Sequence, residues 1–188
     1  AVARQLFLRL VTLGEGTEDT RRRVLRDELE GLHTGNSHWS AVIERFGNAR
    51  LLTFDHDPIT RGATLEVAHE ALLREWSRLR GWLHESRSDI RLQRQLALMV
   101  GEWNNGQRDA SFLLTGTRLE QFEGWSTTTT IALTQDERAF LDASIAERNR
   151  RETEERSRQQ RELENAQKLA ETERQRAEEQ ARSASQLR

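Results

Sequence analysis

Residues 51–76 read LLTFDHDPITRGATLEVAHEALLREW, and their pattern decides what kind of fold the chain adopts. Leu51, Leu52 and Phe54 form a short apolar, β-prone run. Residues 64–68, Thr-Leu-Glu-Val-Ala, form a second with clearer alternation of apolar and polar positions, as expected for a half-buried strand. Between them stand Asp55, His56, Asp57, the sole proline Pro58, then Arg61 and Gly62. These are turn residues, in a connection too long for a two-residue hairpin. From His69 onward the period changes: Leu72, Leu73, Trp76, Leu79 and Leu83 mark one helical stripe, flanked by Trp82.

Upstream of the hairpin the pattern is helical. Val2, Leu6, Leu10 and Leu13 share a face that Phe7 and Val11 widen, which predicts a core helix over residues 2–13 stopped near Gly14 and Gly16. Asp19 or Thr20 is expected to cap a second stretch running to Glu30, with Val24, Leu25, Leu29 and Leu32 inward and Gly31 as the stop. The basic run at residues 21–23 alternatively opens as a short strand. Asn36 or Ser37 caps a third helix carrying Trp39, Val42, Ile43 and Phe46, ended by Gly47 and Asn48. Three helices followed by a two-stranded hairpin describe a winged helix.

Downstream, a helix over residues 89–103 repeats the spacing through Leu92, Leu96, Met99, Val100 and Trp103, and Asn104, Asn105 and Gly106 end it. Phe112, Leu113 and Leu114, then Leu119, Phe122 and Trp125, predict a helical pair or a bent helix before the polar loop at residues 127–130. All five tryptophans lie between positions 39 and 125, where they are expected to pack helix against helix. Thr134 with Glu137 three residues later is a capping box that starts the last helix, and Phe140, Leu141 and Ile145 dock its first turns. Beyond, Leu163, Leu169 and Leu187 are too sparse for a coiled-coil seam. Acid-to-base pairs at i,i+4 recur instead: Glu147 with Arg151, Glu152 with Arg156, Glu154 with Arg158, Glu164 with Lys168, and Glu178 with Arg182. Each adds only ~0.2–0.5 kcal/mol, but together they favour an extended solvated rod.

The fold class expected is therefore mainly α with a small β-hairpin: a winged-helix domain over residues 1–68, a helical domain over 69–133 and a long charged helix over 134–188. Ala1 in place of an initiator methionine, and an end inside a charged run, are what a piece of a longer chain would show.

Charge and composition narrow the function. A net charge of −2 gives no overall basic field for nucleic acid. With no cysteine there is no disulfide framework, cysteine zinc site or thiol nucleophile. No run approaches the ~18 apolar residues of a membrane span and no signal pattern opens the chain, so a cytoplasmic protein without membrane contact is expected. The only lysine is Lys168, in the tail; the other basic residues are all arginine. A phosphate-cradling loop needs a lysine after its glycines, and a Schiff-base enzyme needs a buried one. Neither can be assembled upstream, so no catalytic residues are assigned.

The five histidines, His33, His38, His56, His69 and His84, show no H-E-x-x-H spacing, and no metal site is expected. His56 between Asp55 and Asp57 reads as a solvated turn. His69 stands where the second β-run gives way to a helix. A helix amino terminus presents unpaired N–H groups, so a neutral histidine there can share a bound phosphate, or simply bond the backbone at the corner.

Residues 65–76, Leu-Glu-Val-Ala-His-Glu-Ala-Leu-Leu-Arg-Glu-Trp, followed by Leu79, Arg80, Trp82 and Leu83, resemble the signature after the winged helix of bacterial novel STAND NTPases. These are large signalling ATPases, often followed by WD repeats. The likeness continues through Arg91, Leu92, Leu96 and Trp103, then Leu113, Leu114, Gly116, Leu119 and Trp125, and finally Leu133, Thr134, Glu137, Phe140, Leu141, Ala143 and Ser144. It covers most of positions 1–150. The His-Glu-Ala-Leu core with its downstream tryptophan is fairly specific, whereas the charged tail is generic.

The resemblance implies a non-catalytic regulatory segment of a molecular switch. A P-loop module upstream in the same chain would bind ADP or ATP with Mg, and the winged helix would close over it in the ADP state. A histidine similar in context to His69 touches the terminal phosphate of ADP in such proteins. A downstream repeat or effector domain, and homo-oligomer formation on activation, are further implied partners. The fragment itself would hold no cofactor and would not hydrolyse ATP alone. Two other classes compete. A winged-helix transcription regulator would read DNA with residues 37–46, but these offer His38, Ser40 and Arg45 beside Glu44, thin for phosphate contact. A helical scaffold would self-associate through the apolar helices and the rod; the isolated piece is expected to be largely monomeric.

Overall fold

A computed structural model describes residues 2–32 and 39–186 of the chain. The expected caps at Asn36 and Ser37, and His33 and His38, lie outside the described residues. Residues 1–144 form one compact unit and residues 145–188 a second.

The first unit is mainly helical, with two small antiparallel sheets. Helix α1 (Val2–Arg9) is followed by strands β1 (Val11–Thr12), β2 (Thr20–Arg21) and β3 (Val24–Leu25), then helices α2 (Arg26–Glu30) and α3 (Trp39–Asn48). Strands β4 (Leu52–His56) and β5 (Ala63–Val67) precede α4 (Ala71–Glu75), α5 (Ser77–Glu85), α6 (Arg87–Asn105) and α7 (Gly116–Thr128). Helix α8 (Gln135–Gln186) begins in this unit and runs on as the second.

The apolar face predicted to carry the first helix through Leu13 breaks at Arg9. The Leu10 N–H closes a tight turn on the Phe7 carbonyl, 3.1 Å away, and the chain then extends so that Val11 pairs Arg21 and Thr12 pairs Thr20. For the basic run the strand alternative is the one realised, with α2 only five residues long and Gly31 at its end.

The hairpin forms where its alternation placed it, but β5 is the middle of three strands, in the order β3-β5-β4. Leu52 faces Val67, Phe54 faces Leu65, and Val24 faces Leu65 from the other side. Val24, Leu52, Leu65 and Val67 are buried, at most 3% exposed, so one face of the sheet joins the core. Phe54 lies on that same face but nearer the hairpin end, more than half exposed, with its ring against Gly47, where a Cβ would come within 2.6 Å of it. The hairpin loop is closed by Asp57: its carboxylate accepts from the Ile59 and Thr60 amides at 3.0 and 2.7 Å, which holds it below its ordinary pKa.

The apolar stripe after His69 is carried by two helices. Trp76 adopts an extended backbone between them, and its ring packs edge-on against Phe7 at 4.9 Å and against Trp82 at 5.9 Å. Phe7 also meets Phe46 of α3, so α1, α3 and the α4–α5 corner share one aromatic cluster. A single core cluster runs from Leu6 through Leu52, Leu65 and Leu79 to Ile90 and Ile131. The tryptophans pack as expected: Trp39, Trp103 and Trp125 are buried, and Trp76 and Trp82 lie partly buried against the core.

Helix α6 turns inward the face that its apolar spacing predicts, with Leu96, Val100 and Trp103 buried, and adds Ile90 and Gln93 to it. Ile90, Gln93, Leu96, Val100 and Trp103 are the buried positions, Leu92 is half-buried and Leu98 is 71% exposed. Gln93 takes an inward position because a buried carboxylate awaits it. The Phe112–Leu114 region is a single turn (Ala110–Phe112) plus extended chain, with only α7 after it.

In the second unit, residues 145–186 are one helix, exposed over residues 149–180, carrying ion pairs. Glu147 takes both Arg150 at 2.8 Å and Arg151 at 2.6 Å, and is held down at about 2 by them. Glu152 takes Arg156 at 3.8 Å as expected, while Glu154 pairs backwards with Arg150 and Arg158 with Glu155 and Glu162. No helix among the described residues is long and apolar enough to cross a membrane.

Candidate functional site

The corner that carries His69 is built from backbone hydrogen bonds. As β5 ends, the Ala68 N–H donates to the Leu51 carbonyl at 3.0 Å, which ties the corner back to the start of β4. Arg21 of β2 donates to the Val67 and Ala68 carbonyls, both at 3.3 Å. The His69 carbonyl then accepts from the Leu72 N–H at 3.0 Å and the Glu70 carbonyl from the Leu73 N–H at 2.9 Å, starting α4. His69 itself is exposed, two residues ahead of that helix. With five residues, α4 sums few peptide dipoles, so the positive potential expected at its start is weak. His56 is exposed on β4, and His84 on α5. The described residues contain no group of three or more acids or histidines able to hold a metal ion.

The densest charge lies elsewhere, in a network that local spacing does not reveal. Arg9, at the last turn of α1, is 1% exposed. Its two Nη atoms donate to the two carboxylate oxygens of Glu137, each at 2.9 Å, and Nη2 also reaches the Ala132 carbonyl at 2.7 Å. Glu137 is the second member of the capping box: its carboxylate accepts the Thr134 N–H at 2.7 Å while its own N–H donates to Thr134 Oγ1 at 3.1 Å. Gln93 of α6 completes the shell, donating from Nε2 at 2.7 Å. Burial raises the Glu137 carboxyl, but hydrogen bonds and charge from Arg9, with those from Thr134 and Gln93, outweigh it and leave the group below its ordinary value.

A second layer surrounds that pair. Arg22 and Glu28 meet through two bonds of 3.1 Å, and Arg22 also caps the Arg9 carbonyl. Arg94 donates to the Leu8, Arg9 and Val11 carbonyls, satisfying the end of α1 where its helical bonds stop. Burial, then repulsion from Arg22 and Arg9, pushes Arg94 down to about 9, so it is still charged at neutral pH. An open groove of about 820 Å³ borders this layer, lined among others by Arg22, Glu28, Arg94, Leu98 and Glu137. The network therefore clamps four elements, α1, α2, α6 and the start of α8, at one point. The local clues are the Thr134–Glu137 capping box and Arg9 itself, an arginine set between Leu8 and Leu10 in an otherwise apolar run.

The motif described as novel STAND NTPase 1 in a family model matches residues 1–111, more than half of the chain. No curated protein and no solved structure matches.

Proposed function

Because the chain belongs to the novel STAND NTPase 1 family, we propose that it is the regulatory, non-hydrolysing part of such an NTPase. It couples the nucleotide state of a P-loop module elsewhere in the parent protein to a downstream sensor or effector. In this reading α1 to β5 act as a winged helix that closes over ADP. The helices after it carry the movement onward. The parent supplies ADP or ATP with Mg, and the protein works in the cytoplasm.

The observation that carries the reading is the position of His69. It is exposed, at a corner pinned to the start of β4 by a backbone bond and to β2 by the Arg21 side chain, inside the matched region. An exposed imidazole on a fixed corner is available to a phosphate on a neighbouring module, and a contact made in only one docked arrangement biases the equilibrium between the two. The lack of any lysine before Lys168 supports placing hydrolysis outside this chain.

The test is His69→Ala in the intact parent protein, followed by ADP release after gel filtration and by resting ATPase activity. The proposal expects faster ADP loss and a raised resting activity. Unchanged retention together with unchanged resting activity would remove His69 from the switch.

A further inference from the structure

A smaller groove of about 370 Å³ lies between the 14–19 loop, α4, α5 and the first residue of α6. Its charged lining is Arg74, Arg80, His84 and Arg87 against Glu18 and Asp19. We propose that this groove binds a phosphoryl group, held chiefly by Arg80 and His84. The inference is independent of the His69 reading.

The groove's two acids already have partners. Arg87 grips Asp19 through both Nη atoms, at 3.1 and 3.0 Å, and donates to the Gly14 carbonyl at 2.7 Å. The other side of that loop is closed by the Gly14 N–H on Asp19 at 2.8 Å. These bonds fix one wall. Glu18 pairs with Arg74 at 3.1 Å, but both side chains are more than half exposed, so that pair contributes little and exchanges readily.

Arg80 and His84 stand four residues apart on α5, hence on one face, and both are exposed. No acid of the groove is left for them. The lining thus carries three guanidinium groups and an imidazole against two carboxylates, with buried Leu73 and Leu83 beside them. A phosphoryl group brings up to two charges and three acceptor oxygens, enough to engage Arg80, His84 and an Arg74 released from Glu18. A single carboxylate offers one charge and two oxygens, and fills the donor set less well.

The experiment is calorimetric titration of the purified 188-residue chain with inorganic pyrophosphate, in a phosphate-free buffer of fixed ionic strength. Saturable binding is expected, weakened by roughly 10-fold or more in the Arg80→Ala, His84→Ala double variant. Arg78→Ala removes the same charge from an exposed position of α5 outside the groove, and is expected to change affinity less than about 2-fold. Circular dichroism of all variants is expected to match the parent, since the altered side chains are exposed. Absence of saturation, equal losses in the Arg78 and groove variants, or equally tight binding of acetate would each overturn the assignment.

Discussion

Glu137 does two jobs with one carboxylate. It closes the capping box of α8 and it neutralises Arg9, buried at the end of α1. Removing it leaves the buried guanidinium with only the longer, 3.5 Å contact to Glu28, which Arg22 also holds, so Glu137→Ala is expected to cost about 3–5 kcal/mol, measured as a fall in the urea midpoint at neutral pH. Arg9→Met, similar in length and apolar, leaves the carboxylate stranded instead and is expected to destabilise; the double variant Arg9→Met, Glu137→Leu recovers most of the loss. The pH dependence has a definite sign. Because the folded Glu137 carboxyl lies below its ordinary value, its contribution is present above the unfolded pKa of ~4.3 and is lost as pH falls through the folded value. Urea midpoints measured from about pH 6 to about pH 3 are expected to fall more steeply for the parent than for Glu137→Gln. Only half of this was legible in the sequence. The capping box spans three residues and shows as a local spacing, whereas the Arg9 contact spans 128 positions and leaves none.

Elements were readable where their own residues decide them. The hairpin strands are β-prone runs, their loop is built from Asp57 and Gly62, and both strands appear within a residue or two of their expected bounds. Strand β1 was hidden for the opposite reason: two residues long, inside a run that reads as helix, it exists because the loop to its partner β2 is tightly folded, not because of any pattern it carries. Gly14 sits at that fold. A Cβ there would lie 2.6 Å from the Glu18 carbonyl oxygen, and closer still to that of Thr17, with backbone and not a movable side chain in the way. Gly14→Ala is accordingly expected to cost about 1–3 kcal/mol and to free Arg87 from its carbonyl. Thermal melts of Gly14→Ala against Gly16→Ala compare a blocked glycine with one strained only by its positive φ of 77°. Helix α8 shows the same division between local and distant causes. Its start and its charged character were plain from the sequence, yet which arginine each glutamate takes depends on rotamers, and Glu154 turned to Arg150 rather than Arg158.

Across the chain, the fold class was legible from helical periodicity on both sides of one β-prone stretch, and the family from residues 65–83, where that stretch gives way to tryptophan-bearing helices. The electrostatic centre was not, since it joins residues from α1, α2, α6 and α8 that only the tertiary structure brings together. That centre ties the first unit together from Arg9 to Glu137, and under the function proposed such a body moves as one piece when a neighbouring module changes its nucleotide. The function proposed gives this chain such movement, and not hydrolysis. Its most direct test is phosphate release from purified chain mixed with ATP and Mg, followed over many enzyme equivalents. The expected rate is no greater than that of buffer alone; sustained multiple turnover that follows the protein through purification would contradict the function proposed.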